Sequence, residues 1–241
     1  MSTAPRVKRL RNLLTGKGLD GVLISSDNNR RYLSGFTGSA GYLLITDSDS
    51  ILATDFRYVD QAKQQAPEFS VERISGKSEW FPDMARETGA NKIGFEDQEM
   101  TVSTYSVLQK AICASGYNGI VELTRVGGSI DQLRAIKDCE EMALLIHAVK
   151  ITDEAFEEVA PKIKPGVTEE KIALDLEIAM RELGAGGMAF DIIVGSGLNA
   201  AMPHHRADKT IVSGGHPVVI DMGASYEGYC ADLTRTIMVG E

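Results

Sequence analysis

Disulfide chemistry is the first thing this sequence leaves out. Its 241 residues contain three cysteines, Cys113, Cys139 and Cys230. The number is odd, the spacing is wide and no C-x-x-C pair occurs, so neither a disulfide framework nor a zinc knuckle is supported. Basic charge is short as well: 25 Lys and Arg stand against 34 Asp and Glu, a net charge of −9. That excludes a nucleic-acid surface of the usual basic kind. No apolar run approaches the roughly 20 residues of a membrane span. The start, MSTAPRVKRLRNLL, has basic residues with no signal-peptide stretch behind them. The expected setting is a reducing cytoplasm, with no nucleic-acid or membrane partner. Other signatures are missing too. There is no GxSxG elbow of a serine hydrolase. Gly76-Lys77-Ser78 resembles the end of a phosphate-binding loop, but Val71 stands where that loop needs glycine. Gly195 and Gly197 in VGSGLNAA lack the third glycine of a dinucleotide fingerprint.

What is present is an ordinary globular composition, 43% apolar and 24% charged. Val7, Leu10, Leu13 and Leu14 fall at helical spacing. The β-like runs 21–26, 42–46, 50–54, 70–74, 91–95 and 119–123 follow, with helical stretches at 56–66, 79–89 and 104–116. Strands alternating with helices predict an α/β layer with a mixed sheet. Beyond VGGS (126–129) the pattern changes to a glycine-free helical tract over 131–163. A domain boundary is therefore expected near residue 128, giving domains 1–128 and 129–241. Pro165-Gly166 breaks the chain, and Thr168 is placed to cap the next helix, with Lys171 leaving its capping box incomplete.

The last stretch, VVIDMGASYEGYCADLTRT (218–236), holds two aspartates, Asp221 and Asp232, inside strand-like sequence. Taking SYEG as the turn, with Tyr226 and Glu227 at its tip, sets Asp221 opposite Asp232 on one face. Opposed side chains there lie about 4.5–5.5 Å apart at Cβ. Two like charges so placed repel. Either one carboxyl holds a proton, or divalent cations cancel the charge. A third reading puts one aspartate in a turn and the other on an exposed edge, since a one-residue slip reverses a side chain's face.

This hairpin closely resembles the first metal-binding hairpin of the creatinase/prolidase/aminopeptidase P family, the pita-bread metallopeptidases. The family pattern is an apolar run, Asp-x-Gly-Ala, Gly-Tyr, then Asp-(Ile/Leu)-Thr-Arg-Thr. Upstream, FDIIVGSGLNAAMPHH resembles the family's strand, glycine loop and Pro-His segment. KDCEEMALLIHAVKITDEAF and KPGVTEEKIALDLE resemble the opening helices of its catalytic domain. NNRRYLSGFTGSAGYLLIT with ATDFRYVDQA resembles its N-terminal domain.

The resemblance implies an α/β N-terminal domain followed by part of an α+β pita-bread domain. It implies a metal-dependent Xaa-Pro peptidase, of aminopeptidase or dipeptidase type, acting as a homodimer on peptides with proline second. Asp221 and Asp232 take its first two metal-ligand positions, and His204 its substrate-contacting histidine. Two divalent metals, Mn²⁺ first and Zn²⁺ or Co²⁺ otherwise, activate a shared water. Arg57 takes a substrate-facing role if the N-terminal domain closes over an active site; a solvent salt bridge is its competing reading. Three further ligands, a His and two Glu, have no counterpart in these 241 residues. The chain alone is therefore expected to bind metal weakly or not at all and to lack peptidase activity. The alternatives are a metal-free amidinohydrolase of the creatinase type and a non-enzymatic binding module of the same fold.

Overall fold

The computed structural model describes residues 3–75 and 78–240. The Gly76-Lys77 pair lies outside the described residues. The chain divides into two compact units, Met1–Ile136 and Lys137–Glu241. None of the described helices is long and apolar enough to cross a membrane.

The first unit is the expected α/β layer with a mixed sheet. Its strands are β1 (Gly21–Ile24), β2 (Tyr42–Thr46), β3 (Ser50–Thr54), β4 (Ser70–Arg73), β5 (Lys92–Phe95) and β6 (Glu122–Arg125). They lie in the order β4-β3-β2-β1-β5-β6. The β1/β2 and β2/β3 pairs are antiparallel. The β1/β5, β3/β4 and β5/β6 pairs are parallel. Central strand β1 is buried throughout: Val22 and Ile24 join one apolar cluster, and Leu23 joins another. Alternate side chains thus fill two layers, as a strand covered on both faces requires. Helix α1 (Ala4–Lys17) buries Val7, Leu10 and Leu14 and ends at Gly18 in the left-handed conformation.

Two features of this unit depart from the sequence reading. Helix α2 (Asp27–Ser34) was not anticipated. Its N-terminal end is held by a distant acid. Buried Glu96 accepts the N–H groups of Ser25 at 2.6 Å and Ser26 at 2.8 Å, and the Asn29 amide at 2.7 Å. The sixth strand begins at Glu122, not at residue 119, because Val121 N–H bonds back to Tyr117 O and closes a turn there.

The remaining helices of the unit are α3 (Val59–Gln65), α4 (Trp80–Glu87), α5 (Val102–Ala114) and α6 (Ser129–Ala135). Helix α6 ends at Ala135 and so interrupts the expected tract over 131–163, and the first unit runs on through it to Ile136. The helix packs its Ile130 and Leu133 into the first unit's core. Helix α7 (Cys139–Val159) then starts afresh at Asp138, whose side chain accepts the Glu141 N–H while Glu141 accepts the Asp138 N–H. That reciprocal cap is written in Asp138-x-x-Glu141 and restarts the helix.

The second unit is α+β. Helices α7 and α8 (Glu169–Glu182) pack beside two small antiparallel sheets. Thr168 caps α8 by accepting the Lys171 N–H, as expected. The strands are β7 (Gly187–Met188), β8 (Ile193–Ser196), β9 (His216–Met222), β10 (Ala224–Tyr226), β11 (Tyr229–Cys230) and β12 (Leu233–Val239). One sheet runs β11-β10-β7 and the other β12-β9-β8. Val218, Ile220 and Met222 alternate inward from β9 and join Ile151, Ala155 and Leu176 in the core. Buried Thr152 of α7 accepts the Ala224 N–H at 3.0 Å, which ties the helix to the start of β10.

Candidate functional site

The hairpin that carries both aspartates crosses from one sheet to the other. Its tip is Glu227-Gly228, and both residues have positive φ, 47° and 78°. Tyr226 pairs with Tyr229 across it. A two-residue loop with φ above zero at both centres matches the right-handed twist of its strands. This shifts the register from the expected one: Asp221 lies opposite Thr234, not Asp232. The difference is two residues, and because strand side chains alternate with period two, it leaves the facing unchanged. Continuing the register sets Asp232 opposite Gly223, between β11 and β12.

The crossover makes room for this. The Ala231 N–H bonds to Ala224 O at 2.9 Å, and the Gly223 carbonyl accepts from Ala189 N–H at 2.8 Å. A Cβ at position 223 would lie 1.9 Å from Ala231 O. Glycine lets the two chains approach at the bend, and the aspartates flank it.

Asp221, Asp232 and His204 all line one cavity of about 940 Å³. Its walls come from α8, from the segment 190–193 that leads into β8, and from the loop 204–207. Asp221 is half-buried and its Oδ1 accepts from the Thr234 hydroxyl at 2.6 Å. Asp232 and His204 are exposed. Arg181 and Arg206, also on the wall, pair with Glu177 and Asp191. Those cations are thereby offset locally, which leaves the aspartate end acidic. Hard carboxylate oxygens on an acidic wall fit a divalent cation. Two such ligands fall short of the four of a closed zinc site or the six of an octahedral one.

His204 stands on a β-turn, Met202-Pro203-His204-His205, closed by His205 N–H to Met202 O at 3.2 Å. Proline suits the second turn position and leaves the histidine at the corner. The sequence assigned no role to His205. In the structure its Nε2 lies 2.7 Å from Oε2 of Glu169, which is fully buried. Nothing local marks Glu169, since an acid in the first turn of a helix is the ordinary dipole preference. His147 meets the Tyr226 ring at 4.2 Å between centroids, a packing role. Tyr229 donates to Glu141 at 3.0 Å.

Arg57 belongs to the first unit. It is 57% exposed and binds Asp55 through Nε at 3.0 Å and a terminal nitrogen at 2.7 Å. This is the salt bridge of the competing reading. The hydrogen bond from Arg57 holds the Asp55 carboxyl below its usual range. Arg57→Gln should return the Asp55 titration, followed by carboxyl NMR, towards the ordinary aspartate value. The stabilisation from this pair is present above the unfolded-state pKa and is lost as pH falls through the lower folded-state value. An Asp55 titration unmoved by the substitution overturns the assignment.

Comparison with known proteins gives the chain's relations. Residues 6–136 match the creatinase/prolidase N-terminal domain. Residues 143–241 match metallopeptidase family M24. An uncharacterized peptidase, YqhT, of Bacillus subtilis is 40% identical over 237 residues, covering 98% of this chain and 65% of that protein. Among solved structures, an Xaa-Pro dipeptidase from Bacillus anthracis superposes with a TM-score of 0.93 at 39% identity, covering all of this chain and 66% of that one. An X-Pro aminopeptidase from Thermotoga maritima superposes with a TM-score of 0.86 at 35% identity, covering 98% and 65%. The chain thus spans about two thirds of the length of these relatives. With a creatinase/prolidase N-terminal domain joined to an M24 metallopeptidase segment whose two aspartates share one cavity, the chain belongs to the creatinase/prolidase family of metallopeptidases.

Proposed function

We propose that the second unit is the metal-bearing part of an Xaa-Pro peptidase, with Asp221 and Asp232 as two of its ligands and His204 as its substrate-contacting histidine. One observation carries this reading: all three side chains line a single cavity in the segment that matches a metallopeptidase family. The substrate class follows the relatives, which include an Xaa-Pro dipeptidase and an X-Pro aminopeptidase.

A bound divalent ion supplies a polarised carbonyl and a water acidic enough to ionise near neutral pH. The chain's own residues do the rest. Thr234 donates to one oxygen of Asp221, which fixes the carboxylate plane and leaves the second oxygen for the ion. Asp232, on the bend, presents its carboxylate to the same cavity. His204 at the turn corner donates a hydrogen bond to the scissile carbonyl oxygen as charge develops there. Manganese suits a set made of carboxylate oxygens better than a thiolate-seeking metal does. The three cysteines are exposed and unpaired, which supports a reducing cytoplasm. Exposed Met142, Ile146 and Val149 make an apolar stripe along α7, which supports a homodimer.

Mn²⁺ binding to the 241-residue chain, read from the free-ion EPR signal, tests the ligands. Asp221→Asn and Asp232→Asn should each weaken binding at least about tenfold, since even the partners behind metal ligands are worth that much. Measurable binding by the parent that both variants match overturns the assignment. With two proposed ligands among the described residues, hydrolysis of an Xaa-Pro peptide by this chain should be absent. Turnover in the ordinary range of about 1–1000 s⁻¹ would refute that.

A further inference from the structure

The residue beside His204 does more than close a turn. The buried Glu169 carboxylate gathers donors from three separate segments. Oε1 accepts Ser196 N–H at 2.7 Å, from the end of β8, and the Asn199 amide at 3.0 Å, from the 3-10 turn that follows. Oε2 accepts His205 Nε2 at 2.7 Å and Asp208 N–H at 3.4 Å, from the loop that carries His204. A carboxylate offers acceptors only, so the hydrogen of the His205 contact sits on Nε2. His205 is also the residue whose N–H closes the turn with His204 at its corner.

Glu169, His205 and Asp208 also bring ligand atoms within 4.8 Å of one another, which raises the question of a second metal. The geometry answers against it. Both carboxylate oxygens are already engaged, each by two donors. The 2.7 Å nitrogen–oxygen separation is that of a charge-assisted hydrogen bond. Ligands around a tetrahedral zinc stand roughly 3.3 Å apart. Asp208 is exposed, and its carboxyl is held below the usual range chiefly by its hydrogen bonds with Thr210.

We propose that Glu169 and His205 are positioning residues: a buried clamp that fixes the 202–208 loop and so sets where His204 enters the cavity. This rests on the peptidase reading of His204. Its physical content is that a reacting group must be held to within about half an ångström, by neighbours that are themselves locked. Glu169, planted at the start of α8, is the locked neighbour, and His205 is the link.

His205 is the residue to test, because Glu169→Ala strips four donors at once and measures folding. In the 241-residue chain, His205→Ala should speed amide exchange at position 205 and at Asp208 by about tenfold or more, the loss of one charge-assisted bond. The Ser196 amide, still bonded to Glu169, should keep its protection. His205→Gln, with an amide nitrogen in place of Nε2, should restore the loop. Added Mn²⁺ should broaden the His204 Cε1–H line in the parent. In His205→Ala that broadening should fall to about half or less, given a sixth-power distance dependence and a relaxation of about 1 Å. His205→Gln should recover it. Unchanged exchange at Asp208, or equal broadening of His204 with and without His205, overturns the clamp. Absence of broadening in the parent instead overturns the metal reading, and the exchange comparison then decides the clamp alone.

Discussion

Gly223→Ala should destabilise the second unit by about 3 kcal/mol, the upper end of what overpacking costs. The added methyl would sit 1.9 Å from Ala231 O, 2.9 Å from Ala231 C and 3.2 Å from the Ala189 Cβ. The first two are backbone atoms and have no rotamer through which to yield. The hairpin must therefore open where Ala231 N–H meets Ala224 O. Opening it parts Asp221 from Asp232, so Mn²⁺ binding should fall together with stability. Gly187→Ala is the control, since a Cβ there meets nothing within 4 Å on a neighbouring strand of the same region. It should stay within about 0.5 kcal/mol of the parent. Chemical denaturation with hydrogen exchange resolved over residues 137–240 separates this unit's response from the other's. A Gly223→Ala chain as stable as the parent would show that the bend is not tightly packed.

Arg30→Met should cost the first unit about 3 kcal/mol, from one buried and one partly buried carbonyl left without donors. Arg30 is only 2% exposed at its side chain. Its terminal nitrogens donate to Gly38 O at 2.6 Å, Gly41 O at 2.9 Å and the Asp27 carboxylate at 2.8 Å. The guanidinium also lies 5.7 Å from the centre of the Phe36 ring. These bonds fold the segment 35–41 over the arginine, and the glycines there serve that fold. A Cβ at Gly38 would strike the Phe36 ring at 2.2 Å, and Gly41 has φ of 155°. Methionine keeps the length of the side chain and removes its donors, so the loss reports hydrogen bonding more than volume. Arg30→Lys should recover part of it, because one ammonium cannot span the acceptors that the planar fork reaches. A loss below about 1 kcal/mol, the net worth of a single ordinary hydrogen bond, would contradict the account.

Several elements were legible in the sequence because their causes are local. The stripe of Val7, Leu10 and Leu14 predicts α1, and Gly18 stops it. The runs at 42–46 and 50–54 are the strands β2 and β3 without adjustment. Thr168 caps α8 as its position indicates. The start of α7 was legible in principle, since Asp138-x-x-Glu141 is a capping box within the apparently continuous tract. Helix α2 was not, because the acid that holds its first turn, Glu96, lies some seventy residues away.

The candidate site divides along the same line. Sequence by itself singled out the residues proposed to carry the chemistry: two aspartates in strand-like sequence, a histidine after proline, and the family pattern around them. Those are properties of residue type and short-range period. Tertiary structure alone decided that Asp221 faces Thr234, that Glu227 and Gly228 set this register by their positive φ, and that Glu169 gathers three distant segments behind His204. The physical reason is that alternation specifies only the face of a strand. The partner across it depends on the sign of two turn dihedrals, and a buried carboxylate takes its donors from whatever the packed chain brings within reach.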